Sequence, residues 1–481
     1  MGNVKKNISY QTIYQILATG IPLITSPYLS RVLGANGLGI FSFYNSIVNY
    51  FMLFAMLGVS NYGTRCIAQT IKSKETISKK FWEIYSVQLT SSILCVITYF
   101  FFVIFLFPES IGTTLGFGIY LLGCMADISW LYFGLEDFKV TVSRNILIKI
   151  LNVALIFAFV NSIEDLNIYI LIMSGCTAAG QLVLWGNVFK YIKFYKIHIH
   201  NIIPHIKPIF ILFIPILAGS IYHIMDKTML GMFSTATESG YYYNVDKVIN
   251  IPYSIILGFC TVLMPKVSFM VKNKSIGDVE NAIQEYFRWI IVASVAMAFG
   301  IAAISDEFCP IFFGEGYDPC VFLLKIFSII ILIKAISHTM RYLLIIPFEN
   351  DIIYIYSTVV GAVVNLVANG ILLVVFDLGA LGAVVGTLLA ELVVCIVQIC
   401  MFTNRHPQIK VHKSIIRSIP IIVIGLLMYT GVRILRNYIP HNVIGLCEEI
   451  IFGGILYVFI LGILIFLKVK IFKKISGGNI K

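Results

Sequence analysis

Residues 72–109 read KSKETISKKFWEIYSVQLTSSILCVITYFFFVIFLFPE. Lysines 72, 74, 79 and 80 crowd the beginning, an apolar run fills most of 83–107, and Pro108-Glu109 close it. About 20 apolar residues span the hydrocarbon core as a helix. Only helices and closed barrels satisfy their backbone polar groups there. The pattern recurs along the chain, basic at one end of each run and acidic or neutral at the other. It predicts about fourteen spans, at 11–29, 38–62, 83–107, 113–135, 145–161, 168–189, 208–233, 241–264, 286–305, 321–345, 352–376, 380–402, 418–437 and 446–467.

The bulk numbers agree. The chain has 481 residues, 59% hydrophobic and only 12% charged, with a mean hydropathy of +0.91. A soluble fold of this composition would present large apolar patches to water. The net charge of +11 does not point to nucleic acid, because the basic residues lie at one end of the helices and form no separate basic domain. The start, MGNVKKNISYQ, lacks a small-residue cleavage pattern and reads as the approach to a first span. The ten cysteines show no metal spacing. Cys309 and Cys320 share an expected outer loop, Asp306–Cys320, and read as two free thiols with a disulfide as the alternative.

Charge orients the spans. Of the 35 basic residues, 27 fall in one alternating set of segments, while Arg31, Arg433 and Arg436 make up the opposite set. The opposite loops are acidic, with Glu109, Glu164, Asp165, Glu238, Asp306, Glu307, Glu315, Asp318 and Asp377. The positive-inside rule then puts both termini in the cytoplasm.

The first half recurs in the second. GIFSFYNSIVNY (Gly39–Tyr50) aligns without gaps to GYYYNVDKVINI (Gly240–Ile251), and IPLITSPYLSRVLG (Ile21–Gly34) resembles IPILAGSIYHIMDKTMLG (Ile214–Gly231). The repeat is parallel, as in transporters whose substrate lies between two lobes. The expected organisation is all-α: an N-lobe with its basic linker over 1–207, a C-lobe over 208–402, and two extra helices with a basic tail over 403–481.

Ionisable residues inside spans are costly and mark cavities or partners. Lys149, Lys227, Lys247, Lys334 and Arg341 are the candidate ligands for an anionic substrate, since Lys and Arg form charge-assisted hydrogen bonds to phosphate. Asp226, Asp246 and Glu391 are candidates for ion coupling or gating. Arg31 either gates the outer end or caps a helix C-terminus. Lys227 and Lys247 have a second reading, in which they snorkel to the interface or hold helices together. Lys334, His338 and Arg341 are spaced to share one helix face, as are Glu391 and Gln398. Asn45 and Asn49, like Asn365 and Asn369, read as helix–helix glue or as ligands. No phosphate-binding loop of the G-x-x-x-x-G-K-[ST] type occurs.

PYLSRVLGANGLGIFSFYNSIVNYF (Pro27–Phe51), GVSNYGTRCIAQ (Gly58–Gln69), DKTMLGMFSTATESGYYYNVDKV (Asp226–Val248) and FFGEGYDPC (Phe312–Cys320) resemble the bacterial polysaccharide flippases. These share a superfamily with the multidrug and toxin extrusion antiporters and the lipid II flippases. The resemblance implies fourteen helices, two six-helix lobes plus two extra helices, and alternating access. It implies export of undecaprenyl-diphosphate oligosaccharide for O-antigen, capsule or teichuronic acid, in the plasma membrane, beside polysaccharide polymerase machinery, with no cofactor. Two other functions compete. A cation antiporter calls for an acidic, aromatic cavity. A polysaccharide polymerase or ligase calls for catalytic groups on a substantial outer loop, and the expected loop Asp306–Cys320 offers carboxylates without a histidine.

Overall fold

The computed structural model describes residues 17, 20–70 and 73–476. Lys5, Lys6, Lys72, Lys481 and the start of the expected span 11–29 fall outside them. The described chain is helical, from α1 (20–32) through α2 (Gly34–Met56), α3 (Val59–Gln69), α4 (Lys74–Leu106), α5 (Ile111–Ala126) and α6 (Ser129–Gly134). Next come α7 (Phe138–Phe159), α8 (Leu166–Trp185), α9 (Ile199–Phe233), α10 (Ala236–Asn273) and α11 (Ile276–Phe313). The last are α12 (Asp318–Phe327), α13 (Ile329–Thr339), α14 (Asp351–Asn369), α15 (Gly379–Arg405), α16 (Val411–Leu435) and α17 (Val443–Ser476). Among the described residues, 12 helical segments are long and apolar enough to cross a membrane. Their outward faces carry large apolar side chains such as Phe105 and Val375, exposed by 76% and 72%. Such faces suit lipid, where apolar side chains carry no hydration cost.

Two compact units divide the chain, up to Tyr243 and from Asn244, so the division falls inside α10. In the first unit α5 packs on α8, and α2 on α4, α5 and α9. One core gathers Leu33, Phe41, Phe117, Val160 and Tyr169. A second gathers Ile67, Phe81, Trp130, Tyr132 and Leu184.

A close backbone approach in this unit joins α2 to the start of α10. A Cβ on Gly39 would lie 1.6 Å from the Ala236 carbonyl oxygen, and one on Gly240 would lie 1.8 Å from that of Ala35. Only glycine permits this spacing. Ala35 and Ala236 stand four residues before Gly39 and Gly240, so the crossing is reciprocal. Each repeat contributes the same small-x-x-x-small step, which lets helices meet closely in lipid.

The expected span 113–135 is two helices, α5 and α6, broken at Asp127. The break explains an ionisable residue inside a span. The Asp127 carboxylate accepts the Ser129 N–H at 2.9 Å, which satisfies a donor that the new helix start leaves open. Gln88 of α4 completes the seal. Its amide donates to the Cys124 and Asp127 carbonyls, both at 2.7 Å, and accepts from the Trp130 indole at 2.9 Å.

In the second unit α14 packs on α15, and α11 on α13, α16 and α17. The expected outer loop Asp306–Cys320 shrinks to the turn between Phe313 and Asp318, because α11 continues through it. Ion pairs hold that helical end. Asp306 meets Lys325 at 2.6 Å, Arg436 at 3.0 Å and Arg433, while Glu307 meets Arg436 at 3.0 Å and His441 at 2.6 Å. Two of the three basic residues on the sparse side are therefore paired with acids. Cys309 and Cys320 are both buried and free.

Candidate functional site

A group of in-span charges lies in the second unit, where α13 leads into the π-helical turn Met340–Ile345. Such turns insert an extra residue and often occur at functional sites. Lys334 is 7% exposed, 3.6 Å from the Glu391 carboxylate of α15 and 4.6 Å from the centre of the Tyr253 ring of α10. His338, one turn on, faces Tyr253 at 5.0 Å and Tyr342 at 6.0 Å between ring centres. Arg341 follows, its guanidinium carbon 3.7 Å from the centre of the Tyr354 ring and 5.1 Å from that of Tyr342. The structure thus brings Lys334, His338 and Arg341 into one string, joined by Tyr253 and Tyr342.

The two cations differ in their surroundings. Lys334 has a carboxylate beside it, so the pair is neutral as a unit. Arg341 has no carboxylate partner among the described residues, and its buried Nε makes no hydrogen bond there. Its neighbours are π faces, which attract the cation electrostatically. An anion entering here meets donors that are oriented and not already spent.

Gln398 shares the α15 face of Glu391. It accepts from Ser337 of α13 at 3.2 Å and donates to Ser357 of α14 at 3.3 Å. The Asn365–Asn369 pair is fully buried, with the Asn369 amide donating to Asn365 at 3.3 Å. A Cβ on Gly386 of α15 would lie 2.1 Å from the Asn369 oxygen, so this pair sits in a helix–helix contact, and a second π-helical turn, Gly370–Val375, follows it.

The other expected site residues are spread out. In the first unit Asp226 is buried and accepts from the Tyr242 hydroxyl at 2.7 Å. Its neighbour Lys227 lies 5.8 Å from the centre of the Tyr243 ring. Lys149 is half-buried on α7. Arg31 is exposed and donates to the Pro27 carbonyl one turn back, at 3.2 Å, the geometry of a cation at a helix C-terminus. Asp246 and Lys247, at the start of the second unit, are half-buried, and Asp246 accepts from Asn250 at 2.9 Å. Among the described residues no group of three or more His, Cys, Asp or Glu is placed to hold a metal ion.

Two features escaped the sequence reading. Tyr253, Tyr342 and Tyr354 are one: Tyr253 and Tyr354 reach Lys334 and Arg341 from other helices, so no spacing in the sequence signals them. In the first unit Glu83, at the edge of its span, is 1% exposed, yet it accepts from Lys80 at 3.3 Å and contacts His205 Nε2 at 3.0 Å. The Tyr62 hydroxyl meets His205 Nδ1 at 2.7 Å. These four side chains tie α3, α4 and α9 together.

The described chain is a polytopic, all-α arrangement with charged residues carried into apolar helices. Its fold is that of the multidrug/oligosaccharidyl-lipid/polysaccharide (MOP) exporters. An inward-closed structure of the lipid II flippase MurJ superposes with a TM-score of 0.72 at 15% identity, covering 95% of this chain and 98% of that one. An inward-facing multidrug transporter of the MATE family gives 0.65 at 14% identity, over 84% and 99%. The polysaccharide biosynthesis protein family model matches residues 4–271, and that of the lipid II flippase MurJ matches 147–447. The chain belongs to the polysaccharide biosynthesis protein family, the polysaccharide flippases related to MurJ. Its relatives include two proposed O-antigen transporters. That of Escherichia coli (strain K12) is 26% identical over 334 residues, 68% of this chain and 79% of that protein. That of Shigella dysenteriae is 22% identical over 399 residues, 81% and 98%.

Proposed function

We propose that this protein moves undecaprenyl-diphosphate-linked oligosaccharide repeat units from the cytoplasmic to the outer leaflet of the plasma membrane, by alternating access of two six-helix lobes. Family membership supports the transport class, and the O-antigen relatives support a surface-polysaccharide repeat unit as cargo. The observation that carries the choice of an anionic headgroup is Arg341, a guanidinium held by tyrosine rings with no carboxylate partner among the described residues. In this reading Arg341 meets the diphosphate, Lys149, Lys227 and Lys247 line its path, and the Lys334–Glu391 pair opens or closes with the cavity. Asp226, Asp246 and Arg31 belong to gating or ion coupling.

The orientation, with both termini cytoplasmic, rests on the 27 of 35 basic residues gathered on one side. The count of fourteen adds α1 and the 35-residue α9 to the 12 spans above. With a membrane potential negative inside, export of a lipid diphosphate runs with the field, by about 2.3 kcal/mol per charge per 100 mV. Polysaccharide polymerase machinery is the expected downstream partner.

The test is leaflet exchange of labelled undecaprenyl-diphosphate oligosaccharide in proteoliposomes, with and without an imposed potential. Protein-dependent exchange that falls in Arg341→Ala supports the reading. Efflux of organic cations without lipid exchange selects the antiporter instead.

A further inference from the structure

Away from the charged string, a cavity of about 400 Å³ opens between α11, α16 and α17. Its walls include Gln284, Arg288 and Trp289 from α11, Arg417 and Ser418 from α16, and Leu464 from α17. Gln284 and Arg417 lie just before the expected spans 286–305 and 418–437, and Arg288 just inside the first, so the orientation proposed above puts the cavity at the headgroup level of the inner leaflet.

Arg288 and Arg417 both line the cavity, and a chain of hydrogen bonds holds Arg417 there. Glu280 accepts from the Lys410 backbone N–H at 3.3 Å and from the Gln284 amide at 3.0 Å. That fixes the Gln284 amide, and its oxygen accepts from Arg417. Arg288 lies four residues beyond Gln284 on the same helix face. Neither Arg288 nor Arg417 has a carboxylate partner among the described residues, and Arg288 makes no hydrogen bond there. Glu285 is the one carboxylate in the lining, and it is exposed. The opposite side of the cavity is apolar, with Pro420, Ile421 and Leu464. Trp289 is 59% exposed, at the depth where indole rings favour the membrane interface.

We infer that this cavity binds an anionic glycerophospholipid of the inner leaflet, its phosphodiester on Arg288 and Arg417 and its acyl chains along the apolar side. Basic pockets between transmembrane helices on the cytoplasmic side suit such headgroups. Two guanidinia give charge-assisted, two-pronged bonds to phosphate oxygens. The apolar wall distinguishes a lipid from free phosphate, which would gain nothing from it. The site is separate from the transport path and assigns a resident lipid, not cargo.

The chain has 4 tryptophans, and Trp289 is the one in this cavity, so it reports occupancy. The full-length protein in neutral detergent is titrated with phosphatidylglycerol brominated on its chains, and the Trp289 signal is taken as the difference from Trp289→Phe. Saturable quenching is expected with phosphatidylglycerol and not with brominated phosphatidylcholine. The double variant R288Q/R417Q should weaken it by about tenfold or more, the loss of two charge-assisted bonds. Arg288→Gln alone, at an exposed side chain without a partner, keeps the fold and should weaken it by about threefold or more. Equal quenching by phosphatidylcholine, or unchanged affinity in both variants, overturns the proposal. Displacement of the lipid by millimolar inorganic phosphate would mark a free-anion site and overturn it as well.

Discussion

Lys334 of α13 and Glu391 of α15 stand 3.6 Å apart with both side chains more than nine-tenths buried, so neither charge is tolerable without the other. Removing one partner of a buried pair strands the other charge, whereas replacing both with apolar or neutral groups of similar size is close to neutral. Lys334→Met and Glu391→Gln should each cost about 3–5 kcal/mol, and K334M/E391Q should recover most of that loss. Thermal unfolding of the four proteins in one detergent checks it; additive losses would show that the pair is not coupled.

Arg341 should behave differently. Arg341→Lys keeps the charge but loses the planar fork and the stacking on Tyr354. Unfolding temperature should change little, while lipid-linked oligosaccharide exchange should fall by about tenfold or more, the value of a charge-assisted hydrogen bond. Tyr354→Leu should lower exchange in the same direction by releasing the guanidinium. Wild-type exchange in both variants would remove Arg341 from the transport path.

Gly39→Ala and Gly240→Ala each place a methyl group on a carbonyl oxygen across the α2–α10 crossing, 1.6 Å and 1.8 Å away. The backbones must separate, and overpacking of this kind costs about 1–3 kcal/mol. Because both substitutions push on one crossing, their effects should be less than additive. Unfolding temperatures of the single and double variants check this. Ala substitution at Gly175, whose Cβ would meet nothing within 4 Å, serves as the control.

His406, in the turn between α15 and α16, accepts the Asn350 amide at Nε2, 2.9 Å away, and packs on Phe348 and Phe402. Burial, and then Arg405 beside it, hold its pKa below the ordinary 6.5. The folded state therefore binds fewer protons than the unfolded state just below that pH. Stability attributable to His406 is complete above about pH 6.5 and declines as pH falls through the folded-state value. His406→Gln should flatten that part of the pH profile of thermal unfolding. An unchanged profile would show that the ring titrates equally in both states.

The multi-pass membrane class and the positions of most spans were legible in the sequence, because hydropathy belongs to each segment by itself. The match of Gly39 with Gly240 was legible too, but not that the two meet in one close crossing. What tertiary structure decided was partnership. Asp127 is an ionisable residue inside an apolar run, and it caps a helix break that hydropathy runs straight through. Lys334 and Arg341 carry the same charge on one helix face, but Lys334 faces Glu391 and Arg341 faces Tyr354. Which charge is neutralised and which is left available depends on how each helix is rotated against its neighbours. That rotation is set by the packing of many side chains at once, and no single segment records it.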